Sequence, residues 1–331
     1  MLLAASALLL LFSVLAAISL GGEGITLINV RDILTNHLHL TDIEVRTFKD
    51  VIVWQDRMPR SLVAAAVGAG LAVCGVILQS LLRNPLADPF LLGISSGAST
   101  GAVVIGVLGL GTSALGVSGG AFVGAVVSFG AVLLLGRLAG GSTDRVVLAG
   151  IAMTQLFSAL TSFVIFAFAD SDEARGVLFW LLGSLESVRW DDAWLTTSVA
   201  VVGVALCWAA ARLLDAFTFG DEVAASLGVP VRKVRTGLLV LTALLTAALV
   251  SVAGAVGFVG LILPHAARYL VGPGHARLIP LSALLGAIFL VWVDALSRIA
   301  FHPTPLPLGV GTALIGVPAF VAIMFSRRGR T

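Results

Sequence analysis

Few residues of this chain are suited to acid–base, nucleophilic or metal chemistry, and they are far apart in the sequence. Cys74 and Cys207 each lie inside an apolar run, where a buried thiol is more common than a disulfide or a metal ligand. Asp294 is the one acidic residue well inside an apolar run, and Arg298 follows it at the i,i+4 spacing of a helical ion pair. No Walker A or HExxH pattern is present. The sequence therefore predicts no metal site, no bound cofactor and no covalent chemistry by this chain.

The composition indicates a protein that is largely surrounded by lipid. The chain has 331 residues, of which 58% are hydrophobic and 11% are charged, whereas soluble domains carry about 25% charged residues. So few charges do not cover the surface of a soluble fold of this size. The formal net charge of +2 gives no indication of a nucleic-acid partner. We predict an all-α polytopic membrane protein.

Ten apolar runs divide the chain, and a spanning helix needs about 20 apolar residues. We predict about ten transmembrane helices in a single domain that covers residues 1–331. The first run lacks the basic start of a signal peptide and is expected to be a retained helix. The run at 256–271 is short and is expected to be broken or partly re-entrant. The runs are 2–20, 61–82, 91–109, 114–136, 146–168, 193–211, 236–253, 256–271, 278–300 and 307–325.

The distribution of Lys and Arg predicts the orientation of these helices. Ten spans place both termini on one side, and that side receives the larger share of the 20 basic residues, so it is expected to be cytoplasmic. Segments 21–60 and 169–192 are then extracytoplasmic, and 213–237 is a long cytoplasmic segment. A bare connection needs only a few residues, so 213–237 is expected to contact a partner; the alternative is an unusually long solvated loop. His37 and His39, in the first outer segment, could be haem ligands, but two exposed histidines in a polar loop are expected to be bystanders.

The stretch at 81–99 interrupts two apolar runs with charged residues and two prolines, and it continues as a run rich in small residues. Glycines at GxxxG spacing let helix backbones approach closely in a membrane, and hydroxyl side chains on other faces can line a polar path. Alternatively, these hydroxyls only bond their own backbone. The residues expected to serve helix packing or the pathway are Gly93, Ser95, Ser96, Gly97, Ser99 and Gly101.

Six blocks of sequence, in order and over nearly the whole chain, carry a resemblance to a known family. They lie at 57–99, which contains "LLRNPLADPFLLGISSGAS", and at 144–154, 179–190, 220–235, 254–268 and 307–324. Together these blocks resemble the iron-complex and vitamin B12 permeases (FecCD-like), the membrane subunits of type II ABC importers.

This resemblance implies partners as well as a fold. A permease of this kind has ten helices and pairs with a second permease, usually an identical copy and alternatively a different one. Two cytoplasmic ATPase subunits bind ATP and Mg and hydrolyse ATP, so the chain itself is not an enzyme. A periplasmic or lipid-anchored binding protein delivers the substrate to the bacterial cytoplasmic (inner) membrane. A ferric siderophore is the first substrate expected, and haem and cobalamin follow.

The resemblance also implies a coupling surface on the long cytoplasmic segment. In such permeases, short helices before the seventh span dock into the ATPase. The matching residues here are Gly220, Asp221, Glu222, Ala225, Gly228 and Val229.

Two further sets of residues are implied at the ends of the pathway. Arg57, Arg60 and Arg298 match outward arginines that meet acidic residues of the binding protein; alternatively, the first two anchor a helix end at the lipid headgroups. Residues after the second span and before the fifth match the cytoplasmic gate of such permeases. Helix capping is the alternative role for the pair before the fifth span. The gate residues are Asn84, Leu86, Ser142 and Thr143.

Two other classes of transporter compete with this interpretation. An ion-coupled carrier that works alone usually needs ionisable groups within the membrane, and they are scarce here. A metal-ion ABC permease favours His, Asp and Glu along its helices, whereas these helices offer mainly Gly, Ser and Thr.

Overall fold

The computed structural model describes residues 1–21, 24–109, 116–300 and 304–326, and every regular element in these ranges is helical. A π-helical turn, Val51–Arg57, and a 3-10 turn, Pro89–Leu92, accompany the α-helices. The α-helices are α1 (Leu2–Ser19), α2 (Leu27–His37), α3 (Thr47–Asp50), α4 (Met58–Leu81), α5 (Ile94–Val107), α6 (Gly116–Leu138), α7 (Thr143–Phe168), α8 (Ser171–Leu181), α9 (Trp190–Ala209), α10 (Ala211–Phe217), α11 (Asp221–Ser226), α12 (Val231–Ala253), α13 (Val259–Val271), α14 (His275–Ala300) and α15 (Leu308–Ser326).

Each predicted apolar run contains one apolar helix of the described chain. Seven are long and apolar enough to cross a membrane: α1, the continuous helix from α3 to α4, α6, α7, α9, α12 and α14. Three shorter apolar segments lie in α5, α13 and α15. At about 1.5 Å per residue, the 14 residues of α5 fall short of a hydrocarbon core of about 30 Å. The all-helical fold is confirmed, and ten full crossings stay a prediction.

The break expected near 256–271 is present. Helix α12 ends at Ala253, and α13 has only 13 residues. Between them, Gly254 and Phe258 both have a φ of 69°. A bulky residue in the left-handed region is unusual, and it turns the chain sharply before Val259.

The second long helix begins earlier than the sequence predicts. It runs without interruption from Thr47 to Leu81, so the outer polar segment does not extend to residue 60. The π-helical turn Val51–Arg57 comes directly before Pro59, whose ring lacks a backbone N–H, so the irregular hydrogen bonding of the helix lies next to its proline. Arg57 and Arg60 therefore lie on a helix.

Helix α4 is the central element of the bundle, with α9, α12, α13 and α14 packed around it. Glycines allow the closest approaches. A Cβ on Gly68 would collide with the backbone carbonyl of Gly286 in α14, and a Cβ on Gly75 would collide with that of Gly260 in α13. Small residues at such crossings let the helix backbones meet in a membrane.

These crossings predict that Gly68→Ala destabilises the protein. The added methyl group must push α14 away, which costs about 1–3 kcal/mol, and thermal unfolding in detergent measures the loss. The matched control is Gly130→Ala in α6, where a Cβ would meet open space. Equal melting temperatures for the two variants would contradict the role of this crossing.

Candidate functional site

A buried charge cluster joins α4 to α14. Arg60 Nε donates to Asp294 Oδ1 at 2.7 Å, and Arg298 Nε lies 3.4 Å from Asp294 Oδ2. The side chains of Arg60 and Asp294 are only 8% and 2% exposed. Removing charges from water costs several kcal/mol per ion unless they are paired, so each charge here depends on the other.

The same cluster also holds the end of α1. Arg57 Nη1 donates to the carbonyl of Ile18, and Arg298 Nη2 donates to that of Ala17, both at 2.9 Å. Cations are stabilising at the C-terminal end of a helix, where carbonyls lack partners. Of the three arginines expected to dock a binding protein, Arg57 and Arg60 are buried and Arg298 is partly buried, and together they connect α1, α4 and α14. Their docking role stays a prediction.

The gate candidates Asn84 and Leu86 lie in the turn after α4. One side-chain amide oxygen and one carboxylate oxygen hold this turn. Asn84 Oδ1 accepts from the backbone N–H of Leu86, and Asp88 Oδ1 accepts from that of Phe90, both at 2.9 Å. Burial raises the pKa of Asp88 to about 6, although the Phe90 N–H opposes this shift. The Leu86 side chain is half-exposed at the tip of the turn.

The other gate candidates, Ser142 and Thr143, start α7. Ser142 occupies the N-cap position, yet its hydroxyl makes no capping hydrogen bond in the described chain. Its side chain is exposed. The capping alternative is therefore absent for Ser142, and its gating role stays a prediction.

The glycines of α5 face those of α6. A Cβ on Gly97 would collide with the backbone of Gly124, and one on Gly101 with the backbone of Gly120. Gly93, with a φ of 71°, begins α5, and its carbonyl accepts from the Ser128 hydroxyl at 2.7 Å.

The hydroxyls of α5 divide into two groups. Ser96 Oγ donates to the carbonyl of Gly93, and Thr100 Oγ1 contacts the carbonyl of Phe157 at 2.8 Å. Ser96 thus bonds its own helix, whereas Thr100 also reaches the backbone of α7. Ser95 and Ser99 are partly exposed, and their pathway role stays a prediction.

The coupling candidates surround α11. Gly220, with a φ of 101°, precedes this helix, and Gly228, with a φ of 81°, follows it. The Val229 N–H donates to the carbonyl of Ala224. Glu222 and Ala225 are exposed, so α11 presents a surface that the chain itself leaves uncovered.

One contact in the outer segment involves His37. His37 stacks on Trp54 with ring centroids 3.9 Å apart, and its Nε2 lies 2.9 Å from Asp50 Oδ1. His37 therefore fastens α2 to the helix that continues into α4, and the expectation that it is not a haem ligand stays a prediction. Asp50 and Trp54 follow His37 by 13 and 17 positions, and no sequence pattern at these distances indicates the contact.

Comparison with known proteins identifies the family. The profile of the FecCD transport family matches residues 9–326. The chain belongs to the FecCD transport family. A cobalamin import system permease protein (BtuC) of Halobacterium salinarum is 42% identical over 85% of this chain and 75% of its own. An iron(3+)-hydroxamate import system permease protein (FhuB) of Bacillus subtilis is 35% identical over 90% of this chain and 80% of its own.

A solved structure agrees in fold with this FecCD permease. It is an inward-facing conformation of a metal-chelate type ABC transporter, with a TM-score of 0.86, 27% identity, and coverage of 98% of this chain and 99% of that one. The FecCD permease is thus a multi-pass membrane protein of the ABC importer class, as the resemblance implies.

The charge cluster of this FecCD permease predicts that Asp294→Ala is strongly destabilising. It leaves Arg60 buried without its carboxylate, a loss of about 3–5 kcal/mol, measured by thermal unfolding in detergent. The exposed Asp191→Ala at the start of α9 is the control. The double variant Arg60→Met, Asp294→Leu is expected to recover part of the loss, because Arg60 no longer needs a partner while Arg298 keeps only its bond to the Ala17 carbonyl. If Asp294→Ala unfolds no earlier than Asp191→Ala, the cluster does not hold these helices.

Proposed function

We propose that this chain is the pathway-forming subunit of an ATP-driven importer for an organic metal chelate, in the bacterial cytoplasmic (inner) membrane. The observation that carries this proposal is the agreement in fold, over nearly the whole chain, with a metal-chelate type transporter. Relatives named for cobalamin and for an iron(3+)-hydroxamate support it, since both substrates are metals enclosed by an organic ligand.

Cobalamin is the substrate to test first, because the cobalamin relative has the higher identity. The iron(3+)-hydroxamate relative covers the larger share of this chain, so a ferric siderophore is the second candidate. Haem, which the sequence resemblance includes, is the third.

In this proposal both termini are cytoplasmic and the chain crosses the membrane ten times. A second permease, identical or different, completes the pathway. Support comes from α7, because only 6% of the residues in its most apolar stretch are buried within the chain. A second copy and lipid would cover this surface. Two ATPase subunits, which bind ATP and Mg, would dock on α11.

A binding protein would deliver the chelate from outside. Arg60 lines a small crevice with Ser184, Glu186 and Ser297. An acidic partner that enters this crevice would meet the like-charged carboxylate of Glu186 beside Arg60. Electrostatic docking at Arg57 and Arg298 would likewise require some opening of the outer end.

Reconstitution tests the function directly. The permease, its ATPase and its binding protein are placed in liposomes, and uptake of radiolabelled vitamin B12, a ferric hydroxamate and haem is followed in parallel. We expect saturable uptake of at least one chelate that requires ATP inside. Uptake driven by an ion gradient without ATP would contradict the proposal.

The gate proposal predicts that Asn84→Ala permits leakage. The variant loses the Oδ1 acceptor that fixes Leu86, so the turn no longer holds this side chain at the proposed constriction. Passive efflux of preloaded chelate from ATP-free liposomes measures the leak. Asn84→Asp is the matched control, because it keeps an oxygen acceptor at the same place. Identical efflux from both variants would count against a gate at this turn.

A further inference from the structure

Two carboxylates fasten the segment around α10 and α11 to long helices of the bundle. The first is Asp221, at the start of α11. Its Oδ1 accepts from Arg235 Nη2 on α12 at 2.6 Å. The guanidinium carbon of Arg235 also lies 5.6 Å from the centre of the Phe217 ring, and Phe217 is fully buried. Arg235 thus connects α12 to both short helices.

The second carboxylate is Asp215 of α10. Its Oδ1 accepts from the backbone N–H of His275 at 3.0 Å, and it lies 2.6 Å from His275 Nδ1. A carboxylate accepts hydrogen bonds, so Nδ1 carries the proton in this pair. The His275 side chain is 5% exposed and begins α14. Asp215 therefore satisfies an N–H group at the start of α14 and holds α10 against it.

The geometry of the segment makes these two contacts mechanically important. Helices α10 and α11 have only seven and six residues. Gly220 and Gly228 lie on either side of α11 with positive φ, and such positions readily absorb backbone rotation. Without other restraints, a push on α11 would rotate it about these glycines. The Asp221–Arg235 contact holds α11 against α12, and the Asp215–His275 contact holds the preceding α10 against α14.

The restrained helices both lead to the centre of the bundle, since α12 and α14 pack along α4. We propose that Asp221–Arg235 and Asp215–His275 are the two tethers that transmit movement of α11 to α12 and α14. Asp215, Arg235 and His275 are positioning residues. This inference rests on the proposed docking of an ATPase at α11.

The coupling ratio tests the tethers. In the reconstituted complex, ATP hydrolysed per chelate imported is measured for Asp221→Asn, Arg235→Gln and Asp215→Ala, with whichever of vitamin B12 or the ferric hydroxamate the wild-type complex imports. We expect the ratio to rise about fivefold, the factor for losing a partly exposed ion pair or hydrogen bond of about 1 kcal/mol. Lys233→Gln and Arg277→Gln remove exposed charges next to the tethers and should leave the ratio unchanged.

A charge exchange separates positioning from simple damage. The double variant Asp221→Arg, Arg235→Asp restores an ion pair of opposite polarity and is expected to recover most of the coupling. Unchanged ratios in Asp221→Asn and Asp215→Ala, with the complex assembled, would overturn the proposal.

A second measurement needs neither ATPase nor substrate, and so separates failure of the tethers from failure of the proposed function. A spin label at Ser226→Cys, on the exposed side of α11, reports its mobility in the isolated permease. We expect faster motion when Asp221→Asn is added and no change with Lys233→Gln. Equal mobility in all three proteins would show that the tether does not restrain α11, whatever the complex transports.

Discussion

The close approach of α4 to α13 and α14 is the constraint on which the rest of this structure depends. Between lipid-embedded helices, apolar burial gives little preference for one neighbour over another, so detailed packing decides the arrangement. Gly68 meets Gly286, and Gly75 meets Gly260, backbone against backbone. These two crossings leave no room for a side chain and fix the position of α4 along its length.

The polar contacts at the ends of α4 follow from this position. At one end, Arg60 reaches Asp294 only because α14 lies directly against α4. At the other, the chain leaves α4 and enters the turn fixed by Asn84. A single buried helix thus connects the charge cluster, the turn proposed as a gate, and the helices that the tethers restrain. A force on α12 or α14 therefore acts on α4.

The sequence predicted the helices better than it predicted their contacts. Long apolar runs leave a chain in lipid few structures besides helices, so each predicted run contains one. Local signals failed where tertiary structure decides. Charged residues between 56 and 60 suggested a loop, yet a π-helical turn directly before Pro59 keeps them helical. The partner of Arg60 lies 234 positions away, beyond any periodicity.

The site residues also divide into those with a local sequence signal and those whose contacts only the tertiary structure decides. The glycines of α5 have a recognisable spacing, and they lie where that spacing suggests, against Gly120 and Gly124. The burial of Arg57 and Arg298 depends on carbonyls at the end of α1, which have no sequence signature. The family resemblance implied a coupling surface at α11 that includes Asp221, but it indicated neither its partner Arg235 nor the contact between Asp215 and His275.

The most direct measurement is a pair of spin-label distances in the reconstituted complex, recorded with and without ATP bound. One pair joins Ser226→Cys on α11 to Arg232→Cys on α12, and the other joins Ser226→Cys to Ser142→Cys before α7, all at exposed positions. We predict that the first distance stays constant while the second changes, because α11 and α12 move together. A changing first distance beside a constant second one would contradict this account of how the permease is driven.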